Sequence, residues 1–447
     1  MKDLTQGSIP AHLAAMAAPM AIGMLVQTLY LMVDLYFVSR LGGAAIAGVS
    51  AAGNFTFAVL ALTQMLGVGT VAVISHAVGA RDQAKTNLAF NQSLVLAALC
   101  SLAALVGGYL LTGPYMRAVG ADAGTIEAGA TYLYWYTPGL ALQFAMVAMG
   151  SALRGTGIAK PTMVVQLVTV LVNIVLAPVL IAGLGTGHPF GVAGAGLAST
   201  ISIAAGTVLL TAYYRKLETY VAFHPSEWRP RFETWREILN IGFPAGGEFA
   251  LMFIYMGVIY SIIGGFGTAA QAGFGVGSRV MQAVFLPAMA IAFAVAPVAG
   301  QNFGARDAAR VRGTFSSAML MSSALMALLT LLCQWRAESL IGFFTKDPQT
   351  LIVGGGFLRT ISWNFVASGL IFTCSGLFQA LGNTWPSILS SATRLVSFAL
   401  PAMWLSRQPD FRLEQVWHLS VATVTAQALL SLWLARREMR LRLVFPS

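Results

Sequence analysis

The amino-acid sequence predicts an all-α polytopic membrane protein, with twelve transmembrane helices in two parallel six-helix lobes related by a pseudo-two-fold axis along the membrane normal. Three observations lead there. Apolar residues make up 57% of the 447 positions and charged residues 9%, with a mean hydropathy of +0.74. A soluble domain carries about 25% charged residues, so this chain cannot cover itself with a hydrated surface. Runs such as 11–38 and 88–111 exceed the roughly 18 mostly apolar residues that mark a membrane span.

The third observation is internal duplication. Displaced by 225 residues, the chain overlays itself without a gap. Pro19 falls on Pro244, Tyr30 on Tyr255, Gly42 on Gly267, and Gly79-Ala80-Arg81-Asp82 on Gly304-Ala305-Arg306-Asp307. Gly157 and Pro161 meet Gly382 and Pro386 at the same offset. A duplicated hydrophobic unit is characteristic of secondary transporters.

The spans are read at 11–39, 44–76, 88–112, 123–152, 161–184 and 190–214, and again at 236–264, 269–301, 313–335, 350–379, 385–406 and 413–435. Six per copy is even, so both copies enter the membrane from the same side. With a cytoplasmic N-terminus, seventeen Lys and Arg residues lie in inner segments and six in outer loops. Arg279, Arg359 and Arg394 lie within or at the ends of spans. This asymmetry satisfies the positive-inside rule and puts both termini in the cytoplasm; a bacterial inner-membrane location is the accompanying expectation. The net charge of +10 is therefore topological and does not indicate nucleic acid as a partner. The first ten residues are polar and the following apolar stretch is too long for a signal-peptide core. Residues 1–216 are read as an N-lobe, 217–235 as a polar cytoplasmic linker, and 236–447 as a C-lobe ending in a basic tail.

Both copies place Gly-Ala-Arg-Asp after the second span and a Gly- and Pro-containing loop after the fourth, at 153–161 and 378–386. These are turn and helix-start signals. Cys100, Cys333 and Cys374 fall inside spans and read as small buried hydrophobes, with no disulfide or metal site.

Two acids stand inside spans. Asp34 lies about 9 Å inward of Arg40, and Glu248 about 18 Å inward of Arg236. A carboxylate in hydrocarbon is expensive, so each is a candidate coupling residue, the other reading being a snorkelling or ion-paired side chain. Asn173 in span 5 and Ser199 in span 6 are candidate neutral ligands for a cation at Asp34. Gln27 and Tyr30 lie on the same helical face as Asp34 and, with Glu248, are candidate substrate-cavity residues. Pro19 and Pro244 are candidate hinges, since proline removes a helical hydrogen bond. Tyr132, Tyr134, Trp135 and Tyr136 read either as an interfacial belt or as a cation-stacking wall. Phosphate-binding loops, His-Glu-x-x-His and Cys-x-x-Cys are missing, which argues against an enzyme and against a bound cofactor or metal.

At this point the chain resembles the multidrug and toxin extrusion (MATE) family over nearly its whole length. The resemblance rests on Pro19 and Asp34 in span 1, Leu153-Arg154-Gly155-Thr156-Gly157 after span 4, residues 191–199 opening span 6, and Gly300-Gln301-Asn302-Phe303-Gly304-Ala305 closing span 8, all in one order within the repeat. It implies an antiporter that exports bulky, often cationic drugs or toxins against inward H⁺ or Na⁺, acting as a monomer in the lipid bilayer. In one branch the cation site joins the span-1 Asp to an Asn and an Asp on span 5 and a hydroxyl on span 6. Asp34, Asn173 and Ser199 match, but the second acid's place is Ala177. Glu248 resembles the span-7 acid of another branch, whose companion Asp on span 10 has no counterpart between Gly354 and Leu381. With one carboxylate lost from each site, H⁺ is favoured over a bare Na⁺. The alternative function is a lipid-linked-oligosaccharide flippase, which needs a large cationic cavity that only Arg279, Arg359 and Arg394 could supply.

Overall fold

The computed structural model describes residues 1–120 and 122–445. These form thirteen α-helices, with no strand among the described residues: α1 (Ile9–Ser39), α2 (Gly43–Gly79), α3 (Gln83–Val119), α4 (Ala123–Gly155), α5 (Lys160–Ala182), α6 (Gly191–Lys216), α7 (Phe232–Ile263), α8 (Thr268–Gly304), α9 (Ala308–Gly342), α10 (Pro348–Ile361), α11 (Asn364–Ala380), α12 (Trp385–Leu405) and α13 (Leu413–Arg442). Ten of them are long and apolar enough to cross a bilayer, and α10 with α11 makes one further, broken span. Helix α4 has 33 residues, about 50 Å at 1.5 Å per residue, and completes twelve membrane-length rods.

The span predicted at 350–379 is the one that is not continuous. Helices α10 and α11 meet at a 55° bend. Neither Pro nor Gly stands at the break, which falls at Ser362 and Trp363. Side chains of α9 stabilise it by taking over freed backbone acceptors. Thr330 Oγ1 donates to the Ser362 carbonyl at 3.0 Å, and Gln334 Nε2 donates to the Arg359 carbonyl at 2.6 Å. These bonds run between helices, so hydropathy along a single span carries no trace of them.

The duplication is visible in the backbone. Arg81 and Arg306 adopt φ of 58° and 60°, the two non-glycine residues with positive φ among the described ones. Each is followed by an aspartate that caps the next helix: Asp82 accepts from the Lys85 N–H at 2.8 Å and Asp307 from the Arg310 N–H at 2.9 Å. The cap satisfies an orphan donor at the helix start and holds the tight turn in place.

The helices group into two compact units. The first comprises Met1–Asp3 and Ile22–Gly246, the second Leu4–Ala21 and Gly247–Ser447. Of the three divisions, that between Asp3 and Leu4 precedes α1; the other two fall inside helices, two residues beyond Pro19 in α1 and two beyond Pro244 in α7. Prolines also stand inside α3, α4, α5, α8 and α12, so proline by itself does not mark these places. Within the first unit the polar stretch after α6 is bound along α3. Asn87, Asn91 and Gln92 exchange hydrogen bonds with the backbone of Ala222, His224 and Arg231, among others.

Candidate ion and substrate sites

In the first unit, the Asp34 face of α1 is polar at every turn. Gln27 Oε1 accepts from Gln166 Nε2 of α5 at 2.6 Å. One turn on, the Tyr30 hydroxyl donates to Ser199 Oγ of α6 at 2.5 Å. Asp34, a further turn along, is 6% exposed, and its Oδ1 is buried without a hydrogen-bond partner among the described residues.

Asn173 is fully buried on α5, and neither atom of its amide has a partner among the described residues. Gln166 and Asn173 are seven residues apart on α5, as Gln27 and Asp34 are on α1. Both are odd-numbered rods of an alternating bundle and run the same way, so two turns beyond the Gln27–Gln166 contact the helices present Asp34 and Asn173 at one level. Tyr30 and Ser199 are thus joined one turn from Asp34, and helical spacing from the Gln27–Gln166 bond puts Asn173 at about the depth of Asp34. Ala177, one turn past Asn173, is fully buried and offers no oxygen from its side chain.

One residue of this cluster, Gln166, escapes the sequence reading; an amide seven residues before Asn173 is the signal that would have found it. Tyr132 and Tyr136, read there with the whole aromatic run as a belt or a stacking wall, also belong beside Asp34. The aromatic run on α4 splits: Tyr132 and Tyr136 are buried, whereas Tyr134 and Trp135 are 42% and 47% exposed. The buried pair, with rings 5.3 Å apart, lies within electrostatic reach of Asp34. Helical spacing of four separates the two from their neighbours.

In the second unit, Glu248 is half-buried in a cage of hydroxyls. Its Oε2 accepts from Ser387 at 2.7 Å and from Ser375 at 3.2 Å, and Oε1 accepts from Ser391 at 3.5 Å. The repeat partners of these residues in the first unit are Gly23, Thr162, Gly150 and Gln166, none of them acidic. Tyr255 also meets a serine, Ser420 at 3.2 Å, but one turn before Val424, the repeat partner of Ser199, and Asp34 is matched by Ile259 and Asn173 by Phe398. The Phe398 ring packs 4.9 Å from Tyr255, so an apolar pair fills the place of the polar one. Among the described residues no three His, Cys, Asp or Glu side chains converge as metal ligands.

The MatE family model matches residues 19–179 and 244–405, one match in each copy of the repeat and beginning at the two prolines. The chain belongs to the MatE family. It is 25% identical over 396 residues to the probable multidrug resistance protein YoeA of Bacillus subtilis, covering 86% of this chain and 84% of that one. It is 26% identical over 424 residues to an FAD transporter of Shewanella oneidensis, covering 92% and 91%. Its fold is similar to that of a MOP superfamily transporter from Pyrococcus furiosus, for which reversed polarity of the binding pocket suggests a different function. That similarity has a TM-score of 0.91 at 25% identity and covers 99% of this chain and 98% of the other. This MatE-family chain is accordingly a membrane efflux transporter of small molecules and not an enzyme.

Proposed function

We propose that this transporter is a cation-coupled antiporter that exports bulky organic, often cationic, compounds by alternating access, with H⁺ as the coupling ion entering at Asp34. It works as a monomer in the bacterial plasma membrane, with both termini in the cytoplasm. One observation carries the reading: Asp34 Oδ1 and both amide atoms of Asn173 are buried without hydrogen-bond partners. Unsatisfied polar atoms in an apolar interior are costly, and a bound cation is the group that satisfies an acid and an amide oxygen together. Ala177 supports H⁺ over Na⁺, because bare Na⁺ requires several oxygens and the cluster lacks the second carboxylate.

Coupling requires that cation and substrate favour different conformations; tight binding alone shifts nothing. The division of α1 just beyond Pro19 supports a hinge there, with the Asp34 half and the preceding half moving as parts of different units. Glu248, held by three serines, then receives the cationic group of the substrate or a second proton. The reading is tested by ethidium efflux from proteoliposomes under imposed H⁺ and Na⁺ gradients applied separately. An inward H⁺ gradient drives export by the native chain, and Asp34→Asn stops it. Full export by Asp34→Asn under that gradient would overturn the mechanism, and export driven by Na⁺ alone would overturn the choice of ion.

A further inference from the structure

Three arginines lie within or beside spans of the second unit, and the structure separates them. Arg359 pairs with Glu338 at 3.1 Å. Arg279 is exposed. Arg394 is neither paired nor free in solvent. It stands at the middle of α12, its guanidinium carbon is 4.2 Å from the centre of the Tyr255 ring, and its Nε is buried without a partner among the described residues. None of the four ion pairs among the described residues includes it. A guanidinium in mid-membrane with no anion beside it is expensive, and such a residue marks a ligand site unless a partner is present.

The surroundings fit a site. The inward stripe of α12 runs Ser387, Ser391, Arg394, Phe398, at the spacing of one helical face. The facing stripe of α7 carries Glu248, bonded to Ser387 and Ser391, and Tyr255, which bears Arg394 and Phe398. Glu248 and Arg394 lie along one wall but form no ion pair with each other. The repeat partner of Arg394 in the first unit is Thr169, whose hydroxyl is spent on the Val165 carbonyl at 2.9 Å. The guanidinium therefore belongs to the second unit alone, as Asp34 belongs to the first.

We infer that Arg394 is an anion-recognition subsite that receives the carboxylate or phosphate of an amphiphilic exported compound, and that zwitterions bind with their cationic group toward Glu248. Tyr255 holds the planar guanidinium by its face and leaves the edge donors for bidentate contact with the anion. The inference rests on the efflux reading but not on the coupling mechanism.

The test is equilibrium binding to the purified full chain in detergent with no gradient, so a failure of coupling cannot affect it. Fluorescence anisotropy is measured with rhodamine B, which carries a free carboxylate, and with its ethyl ester, which does not. The native chain binds the free acid more tightly, and Arg394→Gln lowers that affinity roughly tenfold or more while changing the ester by less than about twofold. Arg394→Lys keeps the charge but not the fork and falls between. Equal affinity of the native chain for acid and ester overturns the proposal without recourse to any variant. Equal losses for both dyes in Arg394→Gln also overturn it. If phosphatidylglycerol, rather than the free acid, is the ligand whose binding Arg394→Gln abolishes, the site recognises lipid and the substrate assignment is wrong.

Discussion

The Tyr30 hydroxyl donates to Ser199 across 2.5 Å, joining α1 to α6 one turn from the buried carboxylate of Asp34. The repeat partner Tyr255 also bonds a serine, Ser420, but one turn before Val424, which stands in place of Ser199, and the neighbouring acid has become Ile259. The duplicated tyrosine keeps a helix-joining contact while both its partner and its neighbours change.

If Asp34 and Asn173 serve one ion, their effects are not additive. Asp34→Asn is expected to cut H⁺-driven efflux at least about tenfold and Asn173→Ala several-fold, with the double variant no worse than Asp34→Asn alone. Initial efflux rates in proteoliposomes under one fixed pH gradient measure this. Losses that multiply would assign the two residues to separate steps.

The serine cage orients Glu248 rather than replacing it. Glu248→Gln should weaken binding of a cationic dye, and Ser387→Ala, which removes the 2.7 Å bond, should do so by roughly tenfold. Ser387→Thr should restore much of the loss. Titration of ethidium fluorescence against each variant reports the result, and an unchanged dissociation constant in Ser387→Ala would show that the cage has no positioning role.

Close helix approach in the second unit depends on Gly376. A Cβ there would come 2.3 Å from the Ala292 carbonyl oxygen, so α8 and α11 would have to part. Gly376→Ala is expected to destabilise the protein by about 1–3 kcal/mol. Gly107→Ala, with nothing within 4 Å of the added atom, should be neutral or stabilising by about 0.5–1 kcal/mol. Thermal unfolding in detergent compares the two.

The caps of α4 and α10 give a pH dependence. The Thr125 backbone N–H, with the Thr125 hydroxyl, holds the Asp122 carboxyl below the usual range. The Thr350 hydroxyl, with its N–H, does the same for Asp347. A depressed folded-state pKa contributes stability above the unfolded value of about 3.9, and that stability is lost as pH falls through the folded value. The thermal midpoint of the native chain should therefore exceed that of Asp347→Ala near neutral pH and converge with it on acidification. A gap that stays constant down to about pH 3 would remove the carboxylate's charge from the explanation.

Much of this protein was legible in one dimension. Apolar runs located twelve rods because a bilayer demands about twenty apolar residues per crossing regardless of neighbours. The 225-residue offset located paired turns because Arg81 and Arg306 must adopt the same strained backbone to start the next helix. Asp34 and Glu248 stood out because charge in hydrocarbon is rare wherever the helix packs.

Tertiary structure decided what those residues touch. Hydropathy did not separate Tyr132 and Tyr136 from Tyr134 and Trp135, nor foresee that Gln334 would stabilise a break at Ser362. It could not show that Arg394 would rest on Tyr255 with no acid beside it, while Arg359 found Glu338. The physical reason is common to all of these. Insertion into a membrane is governed by each segment's own transfer energy, whereas partnership between polar groups depends on rotation and register across helices distant in sequence.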